Sequence, residues 1–329
     1  MSRFSELAAA LLAADGIAVY THTNMDGDAA GSSAALCAVM RKLGKRCAVV
    51  MEDEVPGYLR FLENAEDPYF VSDPGFAPDL SAAVDIGEEQ RLGMRSALFH
   101  SAPRCIVIDH HEGEPDIGDL AVRDPGSAAA ACLVYELIRE LEAQSGRQLI
   151  DKETAEALYV GVVTDTGSFR YSNSDKNSLK VTLALYDYGI DYSGICNRIY
   201  NSYPMSQLRL EGRVLSNAEI FAGGKAVISA CLLADLDAVG AEEDQTDTCI
   251  DRLRSIEGVE VAALIKEKEE GFFKLSMRSK DYVNVAKLCA DFGGGGHERA
   301  AGAHFHEALS SCWPKVKEAC IKALSEADS

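Results

Sequence analysis

The segment THTNMDGDAAGS, residues 21–32, places His22, Asp26 and Asp28 directly after an apolar run. Asp26 and Asp28 stand close enough to repel each other unless something positive sits between them. The plainer reading is a loop whose aspartate caps a helix. Three further acidic positions end apolar runs: Asp85 closes SAAVD, Asp109 leads into His110 and His111 in RCIVIDHH, and Asp165 closes LYVGVVTD. One such aspartate is ordinarily a cap or turn residue. Four at the same kind of position, two of them beside histidines, read as a shared site. Carboxylates with imidazoles suit Mn²⁺, Mg²⁺, Fe or Co rather than a thiolate site for structural zinc. The donors outnumber what one ion needs, and two ions roughly 3.5–4 Å apart are the natural arrangement for hydrolysing a phosphate ester.

A second set lies near the C-terminus, in GGGGHERAAG from Gly293 to Gly302. Consecutive glycines let backbone N–H groups close on an anion, although such runs also occur in plain loops. His297 and the small Ala300-Ala301-Gly302 favour a binding loop that opens a helix. The run lacks the Lys-Ser/Thr of a Walker loop and does not follow a first strand, so nucleotide-triphosphate and dinucleotide-oxidoreductase readings are rejected. Arg278, followed by Ser279 and Lys280, could fork two hydrogen bonds onto a phosphate or stand as an exposed strand arginine. His304 and His306 alternate on one strand face, and a solvent-facing strand is the favoured reading.

These residues need positioning elements. The first half alternates strand-like runs (GIAVYTH from Gly16, Arg46 to Met51, SAAVD, RCIVID) with helical patterns at 31–43, 127–142 and 152–163. That alternation predicts an α/β fold, with an N-terminal mostly parallel sheet carrying helices on both faces. After about residue 175 the pattern changes to helices at 177–188 and 192–221, then strands at 225–233, 259–266 and 272–278. We therefore expect a catalytic domain over 1–190, a helical connector over 191–221, and a smaller C-terminal α/β domain over 222–329. The expected active site is the cleft between the two domains.

Composition sets limits. The 329 residues carry 32 Lys+Arg against 52 Asp+Glu, a net charge of −20. Such acidity argues against long duplex nucleic acid and anionic membranes as partners, since both demand a positive footprint. Residues 266–299 are the exception, with seven basic and six acidic side chains. The ten cysteines show no C-x-x-C spacing and sit in apolar runs, which fits reduced thiols and a cytoplasmic location. The apolar stretch at 7–14 is flanked by Glu6 and Asp15, so it reads as a helix rather than a signal peptide.

Taken in order, H-x-N-x-D-x-D-x-x-G-S, V-D-x-G, D-H-H, T-D-T-G-x-F-R-Y-S and the glycine–histidine run resemble the DHH phosphoesterase family with its DHHA-type partner domain. The set covers nearly the whole chain, and its one small departure is Met25 where the family has proline. The resemblance implies that His22, Asp26 and Asp85 hold one divalent ion, and that Asp28, Asp85, His110 and Asp165 hold a second, with Asp85 bridging. Mn²⁺ is the expected metal, with Mg²⁺ or Co²⁺ as substitutes. It further implies that His111 meets the scissile phosphate or protonates the leaving oxygen and that Asp109 orients a histidine ring. Arg278, Ser279, Gly294, Gly295, Gly296 and His297 would bind substrate.

Similarity to the nanoRNase and pAp phosphatase branch implies hydrolysis of very short single-stranded RNA to mononucleotides. It also implies removal of the 3′-phosphate from adenosine 3′,5′-bisphosphate. A cyclic- or linear-dinucleotide phosphodiesterase is the alternative within this chemistry, and a non-catalytic nucleotide sensor the alternative outside it. A homodimer is allowed for.

Overall fold

The structure, a computed structural model, describes residues 2–63, 66–113 and 117–327, the side chain of His297 excepted. The chain divides into two compact units, Met1–Ser202 and Tyr203–Ser329.

The first unit is built on β1 (Gly16–Tyr20), β2 (Arg46–Val50), β3 (Phe70–Val71), β4 (Leu80–Val84), β5 (Cys105–Asp109) and β6 (Leu120–Arg123). These strands pair in parallel throughout, in the order β3-β2-β1-β4-β5-β6. Its helices are α1 (Arg3–Ala13), α2 (Gly27–Lys42), the single-turn α3 (Ser96–Phe99), α4 (Ala130–Ser145), α5 (Lys152–Asp165), α6 (Lys176–Tyr186) and α7 (Tyr192–Tyr200). Strands β1, β4 and β5 are buried at every position, which their unbroken apolar runs foretell, because a parallel sheet is covered on both faces. Ile17 and Val19 join one core with α1, α2, α4 and α5. Ala18 and Tyr20 point the other way, into a smaller core with Leu92 and Phe99. The strand order reverses between β1 and β4, the place where open α/β sheets form a crevice at their carboxyl ends.

Helices α2 and α5 run antiparallel in close contact. A Cβ on Gly31 would lie 2.3 Å from the Ala157 carbonyl oxygen, so only glycine permits this approach. At the far end of α2, Lys42 Nζ donates to Thr154 Oγ1 at 2.7 Å and pairs with Asp151, the N-cap of α5, at 2.6 Å. The two helices are thereby held in register, with Asp28 and Asp165 at their other ends.

The second unit contains α8 (Met205–Ser216), β7 (Glu219–Phe221), β8 (Ala226–Cys231), α9 (Leu233–Val239), α10 (Cys249–Arg254), β9 (Val261–Glu269) and β10 (Phe272–Ser279). It ends with α11 (Val285–Ala290), β11 (Gly295–His297), β12 (Ala300–Phe305) and α12 (Leu309–Ala327). Its sheet runs β11-β12-β10-β9-β8-β7, with β8–β9 parallel and the other pairs antiparallel. One face packs on α11 and α12, and the other packs on α8 and α10 through Ala262 and Leu264.

Three local expectations are corrected. Helix α2 starts at Gly27, not Gly31, because Asp26 caps it by accepting from the backbone N–H of Asp28 and Ala29, both at 3.0 Å. The expected helix at 192–221 breaks into α7 and α8 at Pro204, which cannot donate a helical hydrogen bond. Of the expected connector 191–221, α7 therefore goes with the first unit and α8 with the second. The glycine run opens no helix. Gly295–His297 forms a strand against β12, and a Cβ on Gly294 would lie 2.1 Å from the Gly302 carbonyl oxygen. Glycine serves backbone approach to a neighbouring strand there.

Gly31→Ala should force α2 away from α5. The expected cost is about 1–3 kcal/mol of unfolding free energy, read by urea denaturation. An unchanged midpoint would refute the close-approach argument.

Candidate metal centre

Each polar residue at the carboxyl edge of the first sheet is placed by an element end. His22 follows β1, Asp85 follows β4, and Asp109 ends β5 with His110 and His111 behind it. Asp26 and Asp28 come from the start of α2, and Asp165 from the last turn of α5. Asp85 is the meeting point. Its carboxylate lies 3.6 Å from His22 Nε2, 3.3 Å from His110 Nε2 and 3.6 Å from His111 Nδ1. Its backbone sits at φ 64°, an uncommon left-handed conformation that aspartate tolerates better than most residues.

Among the described residues, three groups have nitrogen and oxygen atoms mutually close enough to share an ion: His22, Asp26 and Asp85; Asp28, His110 and Asp165; and Asp85, His110 and His111. His22 Nε2 lies 3.6 Å from Asp26 Oδ2, while His110 Nε2 lies 3.8 Å from Asp28 and 3.7 Å from Asp165. His22 and His110 are oriented through their other nitrogen, and His111 through the same Nδ1 that faces Asp85. His22 Nδ1 bonds the Thr23 carbonyl oxygen at 2.8 Å, His110 Nδ1 that of Ser127 at 3.2 Å, and His111 Nδ1 the Asp109 carboxylate at 2.7 Å. For His22 and His110 such anchoring fixes Nε2 as the nitrogen that faces the centre, as is usual for metal-binding histidines.

The aspartates have structural duties too. Asp26 caps α2 with Oδ1 and turns Oδ2 toward His22, so the capping and ligand readings hold together. Asp28 is fully buried and accepts from the N–H groups of Ala130 and Ala131 at 2.6 and 2.9 Å. It thus caps α4, whose own N-cap, Ala129, has no side chain able to do so.

Charge crowding shifts these groups. Burial alone would depress His22 and His110, but the facing carboxylates override it and carry both up to about 10. Burial lifts Asp165 to about 7, with Asp85 adding and His110 opposing. Burial and the charges of Asp85 and Asp165 push Asp28 well upward. Asp85 resists burial because His110 and His22 flank it, and it is held well below the usual carboxylate range. His22 Nε2 and Asp85 Oδ1 are buried without a hydrogen-bond partner among the described residues. Orphaned lone pairs amid excess negative charge, with no thiolate in the set, fit a hard or borderline divalent cation.

Four polar residues outside the sequence expectation complete the surroundings. Arg91 Nη1 lies 3.1 Å from His111 Nε2, and the Arg91 carbonyl accepts from Thr23 N–H. Arg123 Nε donates to the His111 carbonyl at 2.6 Å, and its Nη2 lies 3.3 Å from Asp109. Buried Arg95 donates to the carbonyls of Thr21 and Val50, tying the ends of β1 and β2 together. Asn173 Nδ2 bridges the Asp165 and Ala128 carbonyls, each at 3.1 Å. Arg123 ends its strand as Asp109 does, a signal visible once 120–123 is read as β-structure. Arg91 carries no such mark.

The remaining expected site residues lie in the second unit. Arg278 and Ser279 end β10, and the buried Ser279 hydroxyl donates to the Val283 carbonyl at 2.6 Å. Gly294 precedes β11, which contains Gly295, Gly296 and the backbone of His297; the His297 side chain lies outside the described residues.

A parallel sheet that gathers carboxylates and imidazoles at its switch point defines a class of protein built around divalent cations. The particular family follows from comparison. Residues 16–162 match the DHH family, N-terminal domain, and residues 223–327 match the DHHA1 domain. A "Bifunctional oligoribonuclease and PAP phosphatase NrnA" of Thermus thermophilus is 35% identical over 94% of this chain and 91% of its own length. A "Probable bifunctional oligoribonuclease and PAP phosphatase NrnA" of Streptococcus mutans is 28% identical over 92% and 94%. The crystal structure of an exopolyphosphatase-related protein from Bacteroides fragilis superposes with a TM-score of 0.92 at 25% identity, covering 100% of this chain and 98% of that one. The chain belongs to the DHH family.

Because the raised groups must lose protons before their lone pairs can serve a cation, metal binding should release protons. Protonated Asp165, at about 7, and His22 and His110, at about 10, compete with the ion, so affinity should strengthen as pH rises from 6 to 9. Calorimetric titration with Mn²⁺ in buffers of different ionisation enthalpy measures the release. Affinity that falls or stays flat over that range would overturn this account.

Proposed function

We propose that this chain, a hydrolase of phosphate esters, cuts very short oligoribonucleotides to mononucleotides and removes the 3′-phosphate of adenosine 3′,5′-bisphosphate. The observation that carries the reading is Asp85, shared among three imidazoles within 3.6 Å and belonging to two of the three donor groups. The names of the Thermus and Streptococcus relatives support the substrate class and do not favour the cyclic-dinucleotide alternative.

His22, Asp26 and Asp85 would hold one divalent ion, and Asp28, Asp85, His110 and Asp165 a second. We assign Mn²⁺, with Mg²⁺ and Co²⁺ suited to the same donors. Such ions, when bound, polarise a phosphoryl oxygen and lower the pKa of water. The chain's own groups do the rest. Asp109 fixes Nδ1 of His111, which leaves Nε2 as the nitrogen that exchanges a proton with the leaving oxygen. Arg91 places positive charge beside that nitrogen. The second unit takes hold of substrate phosphate through Arg278 and the backbone of Gly294 to Gly296. Ten free cysteines, nine of them buried, suit the reducing cytoplasm.

A panel of pAp, RNA di- to pentamers and cyclic dinucleotides, assayed with Mn²⁺ and Mg²⁺ and with products resolved by length, tests the assignment. Binding without turnover of every substrate would favour the sensor. Asp85→Asn keeps size but removes charge, and should cut hydrolysis by at least about a hundredfold, as loss of a key electrostatic group does. Near-normal rates would refute the assignment of Asp85. Arg278→Ala should mainly raise KM, and no change for any substrate would remove Arg278 from the site.

A further inference from the structure

The face of the second sheet that α8 and α10 cover along β9 continues onto β10 and β12. There Lys274 stands opposite Lys266 on one side and opposite His304 on the other. Phe272, two residues along from Lys274, stacks on His304 (5.5 Å between centroids, 11° between planes) and on His306 (4.8 Å, 24°). His304 and His306 are exposed, and Lys274 and Phe272 are half-buried.

Like charges directly opposite each other in a sheet are destabilising. Lys266 is answered by Asp247 at 2.9 Å, and Lys268 by Glu243. Lys274 makes no hydrogen bond or ion pair among the described residues. Asp247 and Glu243, already paired with Lys266 and Lys268, answer Lys274 without forming an ion pair to it, which leaves its half-buried ammonium able to meet an outside anion. Burial, then Lys266 and Lys268, hold the Lys274 pKa down against the opposing pull of Asp247 and Glu243, and burial with Lys274 does the same to His304. A cation beside a run of flat aromatic rings is the pairing that holds single-stranded nucleic acid, with phosphate on the cation and base on the ring. Arg278 lies four residues away on the same strand face, roughly 13 Å at 3.2–3.4 Å per residue, too far to share one phosphate.

We propose that Lys274, His304 and Phe272 form a second nucleotide-binding station on this unit, engaging a phosphate and base of a short single-stranded oligonucleotide beyond the one at Arg278. The proposal rests on the oligoribonuclease reading and adds a length dependence to it: the station serves trimers and longer, and is idle for pAp and dinucleotides.

The test uses the full chain, with Lys274→Gln and Lys274→Arg variants, and fluorescence anisotropy of labelled A5 and A2 RNA in EDTA. Lys274→Gln should weaken A5 binding about tenfold and lower the slope of log K against log salt by about 0.7, the loss of one single-strand phosphate contact. A2 affinity and the KM for pAp should change less than about twofold, and Lys274→Arg should retain A5 binding. A pentaglutamate peptide should not displace A5. Unchanged A5 binding in Lys274→Gln, an equal loss for A2, or displacement by pentaglutamate overturns the station. Failure of the wild type to hydrolyse A2 or pAp with Mn²⁺ overturns the underlying phosphoesterase reading and leaves the binding comparison to judge Lys274.

Discussion

The first unit is organised around a repulsion. Asp26, Asp28, Asp85 and Asp165 converge on a small volume, and two of them, Asp28 and Asp85, are almost completely buried. Concentrating carboxylates costs free energy in any medium and costs more where water is excluded. Within the protein the imidazoles of His22 and His110 offset part of it, which is why their protonated forms are favoured. His22 Nε2 and Asp85 Oδ1, buried without hydrogen-bond partners among the described residues, show that the offset is incomplete. Everything around the centre keeps this frustrated arrangement from relaxing.

The restraint has several sources. Parallel pairing brings the ends of β1, β4 and β5 side by side, so their terminal residues cannot separate without breaking the sheet. The close contact of α2 with α5 fixes the two helix-borne aspartates. Asp26 and Asp28 are tied to helix N-termini, where positive dipole ends and unpaired N–H groups favour carboxylates. Arg95 and Arg123 pin strand ends and the backbone behind His111 from the other side. Capping and the proposed ligation thus draw on the same charge, because one carboxylate would serve both.

The overall acidity takes on structure in this light. A part of the −20 charge is the centre itself, and cations would neutralise it. The second unit departs from the trend along one strand face, where Lys274 and its neighbours gather positive charge next to aromatic rings.

The amino-acid sequence by itself determined strands β1, β2, β4, β5, β8, β9 and β10, through their largely apolar runs, and the polar residues of the centre, through carboxylates and histidines placed where those runs stop. Strand-end logic works because backbone direction alone delivers such residues to one edge of a parallel sheet. It could not determine the partners that make the centre hold. Arg91 reaches His111 from a segment twenty residues earlier, and Asp28 caps a helix 102 residues later, contacts that only packing creates. The glycine run shows the same limit: its freedom was legible, but only the tertiary structure decided that it would serve approach to β12, because the neighbouring strand, not the local sequence, supplies the atoms a Cβ would strike.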